Sequence, residues 1–277
     1  MTRSNPRRRG AFEPLDCSKA LHEFERFPLK YMGEHAEQVR EYLNVTLEKT
    51  YFAAPLRKPR TGAECDLYRL KRKPTREPSG EERKLEYRIW HRWGPKGDSS
   101  DKPDFLPGCC RYLLTFQMPL QNSRRDTSWG KVDLVGVSPE GLPVVMELKV
   151  AKAQDTPLRM LIEAVAYAVA VRKAWNEDDH CLAQAWSQNM GIKLSVLRQV
   201  PLVCLAPKLY WDRCLGKSGR RGAVPRNAWK PFKMLMKELD QRGFPVALAQ
   251  FDEGQVGEDG LPDIGPPEII YPDSLPA

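Results

Sequence analysis

The segment Leu142 to Val150 is strand-like and apolar except at two alternate positions, Glu147 and Lys149. Side chains of a strand point to opposite faces in turn, so Glu147 and Lys149 project together while Met146, Leu148 and Val150 project the other way. Ionised groups are costly to bury unless they are paired or bound to a metal, so an acid and an amine in a Val-rich central strand require partners on that face. The preceding segment supplies one. Trp129 to Val137 is also strand-like, and the turn signal Ser138 to Gly141 lets it fold back so that Asp133 comes beside Glu147.

The rest of the chain builds an α/β pattern around this hairpin. Ser79 to Glu82 reads as a capping box opening a first core helix over 81 to 93, in which Leu85, Ile89 and Trp93 share a face. Arg111 to Leu120 is a strand rich in aromatic and aliphatic residues. After the hairpin, Asp155-Thr156-Pro157 supplies a cap and a first-turn proline for a long Ala/Val/Leu helix, Leu158 to Trp175, apolar on most sides and expected to be buried against the sheet. A short strand (Val200 to Ala206), an amphipathic helix (Asn227 to Gln241) and a last strand (Pro245 to Phe251) complete an α-β-β-β-α-β order followed by one more helix and strand. This predicts a central mixed β-sheet flanked by helices on both faces. The chain divides into a flexible basic arm (1–15), a helical extension with a Lys/Arg/Pro-rich connector (16–80), the core (81–252) and an acidic, Pro/Gly-rich tail (253–277) expected to be loosely held.

Composition narrows the function classes. With 277 residues, 41% hydrophobic and 29% charged, the chain can bury one domain-sized core. Lys and Arg number 44 against 36 Asp and Glu, a formal charge of +8 that suits a polyanionic partner such as nucleic acid. Basic clusters at Arg69 to Lys73, Arg124 to Arg125 and Lys217 to Arg221 are candidates for tracking phosphates. The seven cysteines include no CxxC pair, which argues against a disulfide framework or zinc ribbon and for a reducing, cytoplasmic setting. The longest apolar run, Ala164 to Val171, is too short to cross a bilayer, so no membrane partner is expected. His22, His35, His91 and His180 lack the HxxxH spacing of a zinc hydrolase. Gly216-Lys217-Ser218 resembles the end of a P-loop, but Trp211 stands where that loop needs glycine.

Two carboxylates and a backbone carbonyl suit Mg²⁺, which takes oxygen ligands and keeps several waters. Asp133 and Glu147 are therefore the candidate metal ligands, with the Leu148 carbonyl as a third, and Lys149 would assist the water nucleophile and offset charge on a phosphate.

Asp133, thirteen intervening residues, and then Glu147-Leu148-Lys149 resemble the Asp…Glu-x-Lys signature of the PD-(D/E)XK nuclease superfamily. That resemblance implies a restriction-endonuclease-like core and Mg²⁺-dependent hydrolysis of phosphodiester bonds, most simply in DNA, with Mn²⁺ able to substitute. In this superfamily the helix behind the signature strand often carries Gln or Glu followed four residues later by Tyr, which Glu163 and Tyr167 match on one helical face. It also commonly places an acid on the first core helix, where Glu86 is preferred to Glu82. The chain departs from the pattern twice: Val132 replaces the proline before the Asp, within the glycine-led stretch Gly130 to Asp133, and Glu163 stands where Gln is frequent. The alternative expectation is a nuclease fold without activity that binds nucleic acid or protein. A further one is a scaffold acting through helices in 16–55 and 227–241, with a homodimer or protein partner.

Overall fold

Aliphatic runs punctuated by turn residues build a six-stranded sheet. The computed structural model describes residues 31–56, 68, 70, 78–94, 104–121, 129–177, 181–191, 195–217, 223–256 and 262–276. Five strands lie side by side in chain order: β1 (Tyr112–Pro119), β2 (Lys131–Val137), β3 (Pro143–Leu148), β4 (Leu202–Pro207) and β5 (Val246–Phe251). Of three short strands that follow, β6 (Glu253–Val256) and β7 (Pro262–Ile264) pair with each other, and β8 (Glu268–Ile270) extends the main sheet beside β5. Neighbours β1–β2, β2–β3 and β5–β8 are antiparallel, whereas β3–β4 and β4–β5 are parallel. The expected mixed sheet is present. The β2–β3 hairpin closes through Ser138, whose N–H donates to the Leu142 carbonyl at 2.8 Å, and Gly141 there has φ +82°, a left-handed conformation that favours glycine.

The helices are α1 (Met32–Glu41), α2 (Leu43–Ala53), α3 (Glu81–Trp93), α4 (Pro157–Asn176), α5 (Cys181–Met190), α6 (Lys208–Cys214) and α7 (Trp229–Gln241). α3 covers β1 and β2 on one face, sharing a core with Phe116, Leu134, Met146 and Leu148. α4 lies across β2, β3 and β4 on the other, sharing a core with Val135, Val145 and Cys204. α4 starts as the sequence predicts: Thr156 Oγ1 accepts the Arg159 N–H at 3.0 Å, and Pro157 occupies the first turn, where its missing N–H costs nothing.

The structure corrects the sequence reading in several places. α3 begins after Gly80 at φ +93° with no side-chain cap, so the capping box expected from Ser79 and Glu82 does not form. β3 ends at Leu148, which leaves Lys149 just past the strand. The segment after Asp252, read as a loose tail, supplies the edge strand β8. Helices α5 and α6 were not anticipated. The described part of the N-terminal extension is no separate body: Met32, Ala36, Val39, Leu43 and Leu47 join the core under α4 and α7. The arm 1–15, Arg124 to Arg125 and most of the other two basic clusters fall outside the described residues. None of the described helices is long and apolar enough to cross a membrane.

Gly136 on β2 marks the tightest packing in the hairpin. A Cβ there would lie 2.3 Å from Cys110 Sγ and 2.8 Å from Met146 Cε, and both side chains are fully buried. Gly136→Ala is expected to cost about 1–3 kcal/mol in chemical denaturation, as overpacking does. Adding Cys110→Ala should recover part of that loss. A Gly136→Ala variant as stable as the wild type would show that the hairpin can shift to make room.

Candidate functional site

Strand register decides which polar groups meet. The β2–β3 ladder pairs Gly136 with Val144 and Leu134 with Met146, and one further step sets Asp133 across from Glu147. The β1–β2 ladder pairs Phe116 with Leu134 and Met118 with Val132, which sets Gln117 across from Asp133. On the other side Glu147 pairs with Cys204. Gln117, Asp133, Glu147 and Cys204 thus form one row across four strands. β3 has strands on both sides, so the row lies inside the sheet rather than at its edge.

Around that row the charged groups interlock. Lys149 Nζ donates to Glu147 Oε1 at 2.6 Å and to Glu163 Oε2 at 2.7 Å. Glu163 Oε1 accepts from Arg159 Nε at 2.8 Å and lies 2.7 Å from Arg159 Nη2. Asp133 Oδ2 accepts the Leu148 N–H at 2.9 Å, tying the two hairpin strands where their ladder ends. Glu147 and Lys149 are only 4% and 6% exposed; Glu147 Oε2 is buried with no donor facing it, and the Glu147 and Glu163 carboxyls come within hydrogen-bonding reach of each other when Glu147 is protonated. Tyr167 is buried on α4 one turn beyond Glu163, and a Cβ at Gly130 would come within 3.1 Å of its hydroxyl. Glycine at 130 therefore leaves room for Tyr167 beside the strand that carries Asp133.

The predicted residues Asp133, Glu147, Lys149 and Glu163 are brought together, and Tyr167 borders them. Glu86 is 1% exposed and accepts from Gln117 Nε2 at 2.6 Å, whereas Glu82 is exposed one turn earlier. Gln117 is the single non-glycine residue with positive φ among the described residues, at 52°. Such strain persists where surrounding structure enforces it, and here it accompanies a side chain turned toward a buried acid. Sequence reading missed two members. Gln117 was visible only as a polar residue in an apolar strand. Arg159 had a clearer signal: it lies four residues before Glu163 in an otherwise apolar helix, the spacing that brings two side chains onto one face.

Charge balance explains the titration behaviour. Three carboxylates, Asp133, Glu147 and Glu163, face two cations, Lys149 and Arg159. Burial would discharge Lys149, but Glu147, Glu163 and Asp133 hold its ammonium well above the usual range. Burial would likewise raise Glu163, yet Lys149 and Arg159 keep it below its ordinary value. The surplus acid appears on the other two. Burial and the nearby Asp133 push Glu147 well above the usual carboxylate range. Asp133 keeps partial access to solvent, but its desolvated surroundings push it up to about 7 against Lys149 and the Leu148 N–H. Glu86 is pushed up to about 9 by burial and by Asp133.

No set of three His, Cys, Asp or Glu side chains among the described residues forms a ready cation cage. A site made of two carboxylates and a backbone carbonyl does not require one. The Glu147 Oε2 that no donor faces and the upward shifts of Asp133 and Glu147 fit a cation that would bring the missing positive charge. No protein-family model matches the chain, and no curated protein or solved structure matches it, so the functional reading rests on the site's own chemistry.

Glu86 makes the charge surplus measurable. A carboxyl whose folded pKa is raised adds stability fully present below its unfolded value, and that stability is lost as pH rises through the folded value, here between about 4.5 and about 9. Glu86→Gln keeps an acceptor for Gln117 and removes the titration. It should raise the melting temperature relative to wild type at pH 8 while changing it little at pH 4.5. An equal difference at both pH values would show that Glu86 does not carry the effect.

Proposed function

We propose that the chain is a metal-dependent nuclease with a restriction-endonuclease-like core, hydrolysing phosphodiester bonds in DNA. One observation carries this reading: Asp133 and Glu147 share a row across the hairpin, Lys149 joins them, and one oxygen of Glu147 is left buried with no donor facing it. The strand order, the Glu163 and Tyr167 pair on α4 and the +8 charge of the chain support it.

Asp133 and Glu147, with the Leu148 carbonyl, are the groups that would hold Mg²⁺ or Mn²⁺. When bound, such an ion polarises a phosphoryl oxygen and makes water a stronger acid. The protein groups divide the remaining work. Lys149, held charged by its two acids, offers Nζ protons to the phosphate or to the attacking water, where developing negative charge is stabilised most in a water-poor site. Asp133, with partial solvent access, marks the open side of the cluster, while Glu147 and Lys149 form its closed floor. Glu86, protonated at neutral pH, can donate a hydrogen bond as well as accept one.

A second reading, a non-catalytic module that binds nucleic acid, is favoured by one fact: Lys149 Nζ is already engaged by two carboxylates. Cleavage assays separate the two. Asp133→Asn, Glu147→Gln and Lys149→Met are each expected to lower Mg²⁺-dependent cleavage of DNA by at least about 10²-fold, the scale of losing a positioned proton-transfer or electrostatic group. Salt-sensitive DNA retention with no products in Mg²⁺ or Mn²⁺ would instead establish the binding module. Independently of activity, Mg²⁺ or Mn²⁺ should raise the melting temperature of the wild type, by about 2.7 kcal/mol of stability at a hundred times the dissociation constant, and should do so far less for Glu147→Gln.

A further inference from the structure

We propose that Arg159 and Glu163 act as a buried positioning pair that aims Lys149, which makes Arg159 a working part of the site described above. This inference deepens the nuclease reading and rests on it for its catalytic consequence, although the positioning itself can be observed without any cleavage.

The carboxylate of Glu163 is divided between two cations. Its Oε1 meets Arg159 through Nε at 2.8 Å and Nη2 at 2.7 Å, and its Oε2 meets Lys149 Nζ at 2.7 Å. Glu163 is thus a bracket joining two cations, a different use from that of a third metal carboxylate or a contact to DNA. Lys149 is in turn divided between Glu163 on α4 and Glu147 on β3, 2.6 Å away. A lysine stem has four carbons and many rotamers, so a single acceptor would leave Nζ free to swing. Two acceptors on two different elements fix it.

Arg159 is suited to the far end of this chain. Its guanidinium is a planar fork, and here it sets two N–H groups on one oxygen of Glu163. Its backbone is anchored by the Thr156 hydroxyl at the start of α4, and its side chain is 8% exposed. Thr156, Arg159, Glu163, Lys149 and Glu147 therefore form a continuous path of hydrogen bonds from a helix cap to the row of acids in the sheet. Without Arg159, Glu163 keeps one cation instead of two, and its carboxylate can rotate toward whichever orientation suits Lys149. The bracket then no longer dictates where Nζ sits.

The direct readout is the Lys149 ammonium itself. Buried, hydrogen-bonded lysine ammonium groups exchange slowly enough with water to give proton–nitrogen correlations in NMR spectra of ¹⁵N-labelled protein, and loss of the signal in Lys149→Arg assigns it. The wild type should show this signal, Arg159→Met should lose it with the backbone amide spectrum otherwise preserved, and Arg159→Lys should retain it in part. Arg159→Gln serves if the Met variant does not fold. In Mg²⁺-dependent cleavage, Arg159→Met should lower kcat by about 10- to 100-fold with KM near that of the wild type, as misplacement of a catalytic group does, and Arg159→Lys should recover much of the loss. A Lys149 signal that persists in Arg159→Met, or a wild type that shows none, overturns the positioning role. Absence of cleavage by the wild type would overturn the nuclease reading alone, because the ammonium signal decides the role of Arg159 without it.

Discussion

The Lys149 ammonium, shared between Glu147 on β3 and Glu163 on α4, ties the charged face of the sheet to its covering helix. A carboxylate and an ammonium taken out of water each lose several kcal/mol of hydration, which mutual attraction repays only when the geometry is good and the remaining hydrogen-bonding capacity is met. β3 cannot evade that cost by exposing its charges, because β2 and β4 flank it and α4 lies over it. The cluster must be nearly complete to exist at all. Removing one ion leaves its partners under-compensated rather than alone, because Lys149 meets two acids and Glu163 two cations.

Near-completeness also sets its electrostatic character. Two cations satisfy Glu163 and, in part, Glu147, and the acids continue through Asp133 to Glu86 on α3, where Arg83 offsets only part of the charge. Raised carboxyl pKa values of this kind lower stability as pH rises through the neutral range. Sites that do chemistry commonly carry such a cost, as some structural ion-pair networks also do. The shortfall is concentrated on Asp133 and Glu147, the two acids that face each other across the hairpin.

Much of this was legible because strand periodicity has a period of two. Once Trp129 to Val137 and Leu142 to Val150 were read as strands joined by a turn at Gly141, the meeting of Asp133 with Glu147 and the common side of Glu147 and Lys149 followed from alternation alone. α4 was legible from Thr156 and Pro157 at its start and from its apolar length. Other features depend on tertiary context that local pattern does not carry. β8 is three residues long and lies in a Pro-rich stretch, so its pairing with β5 has no signature of its own. Gly80 ends the loop before α3 through a left-handed backbone, which displaced the cap expected from Ser79. Gln117 joins Glu86 through a strained φ in β1, and strain of that kind is invisible in residue type. Arg159 was within reach, since a charge in the first turn of an apolar helix calls for a partner four residues on.

The burial of α4 on nearly every side follows from the separate uses of its two ends. Its C-terminal half is enclosed by α2 and α5: Lys173 Nζ donates to the Ala54 carbonyl at 2.9 Å, closing the end of α2, and Trp175 stacks edge-on against Trp186 of α5. Those contacts fix the helix along its axis and against rotation. A helix held so firmly at one end presents Arg159, Glu163 and Tyr167 at the other with little freedom, and a site on a rigid element is more accurate than one on a loop. The helix α2 thereby bears on the site from a distance, because it closes over the half of α4 that carries no charged site residue. A helix anchored only by the Lys149 bridge would have to hold its own position with the very contact it is meant to aim.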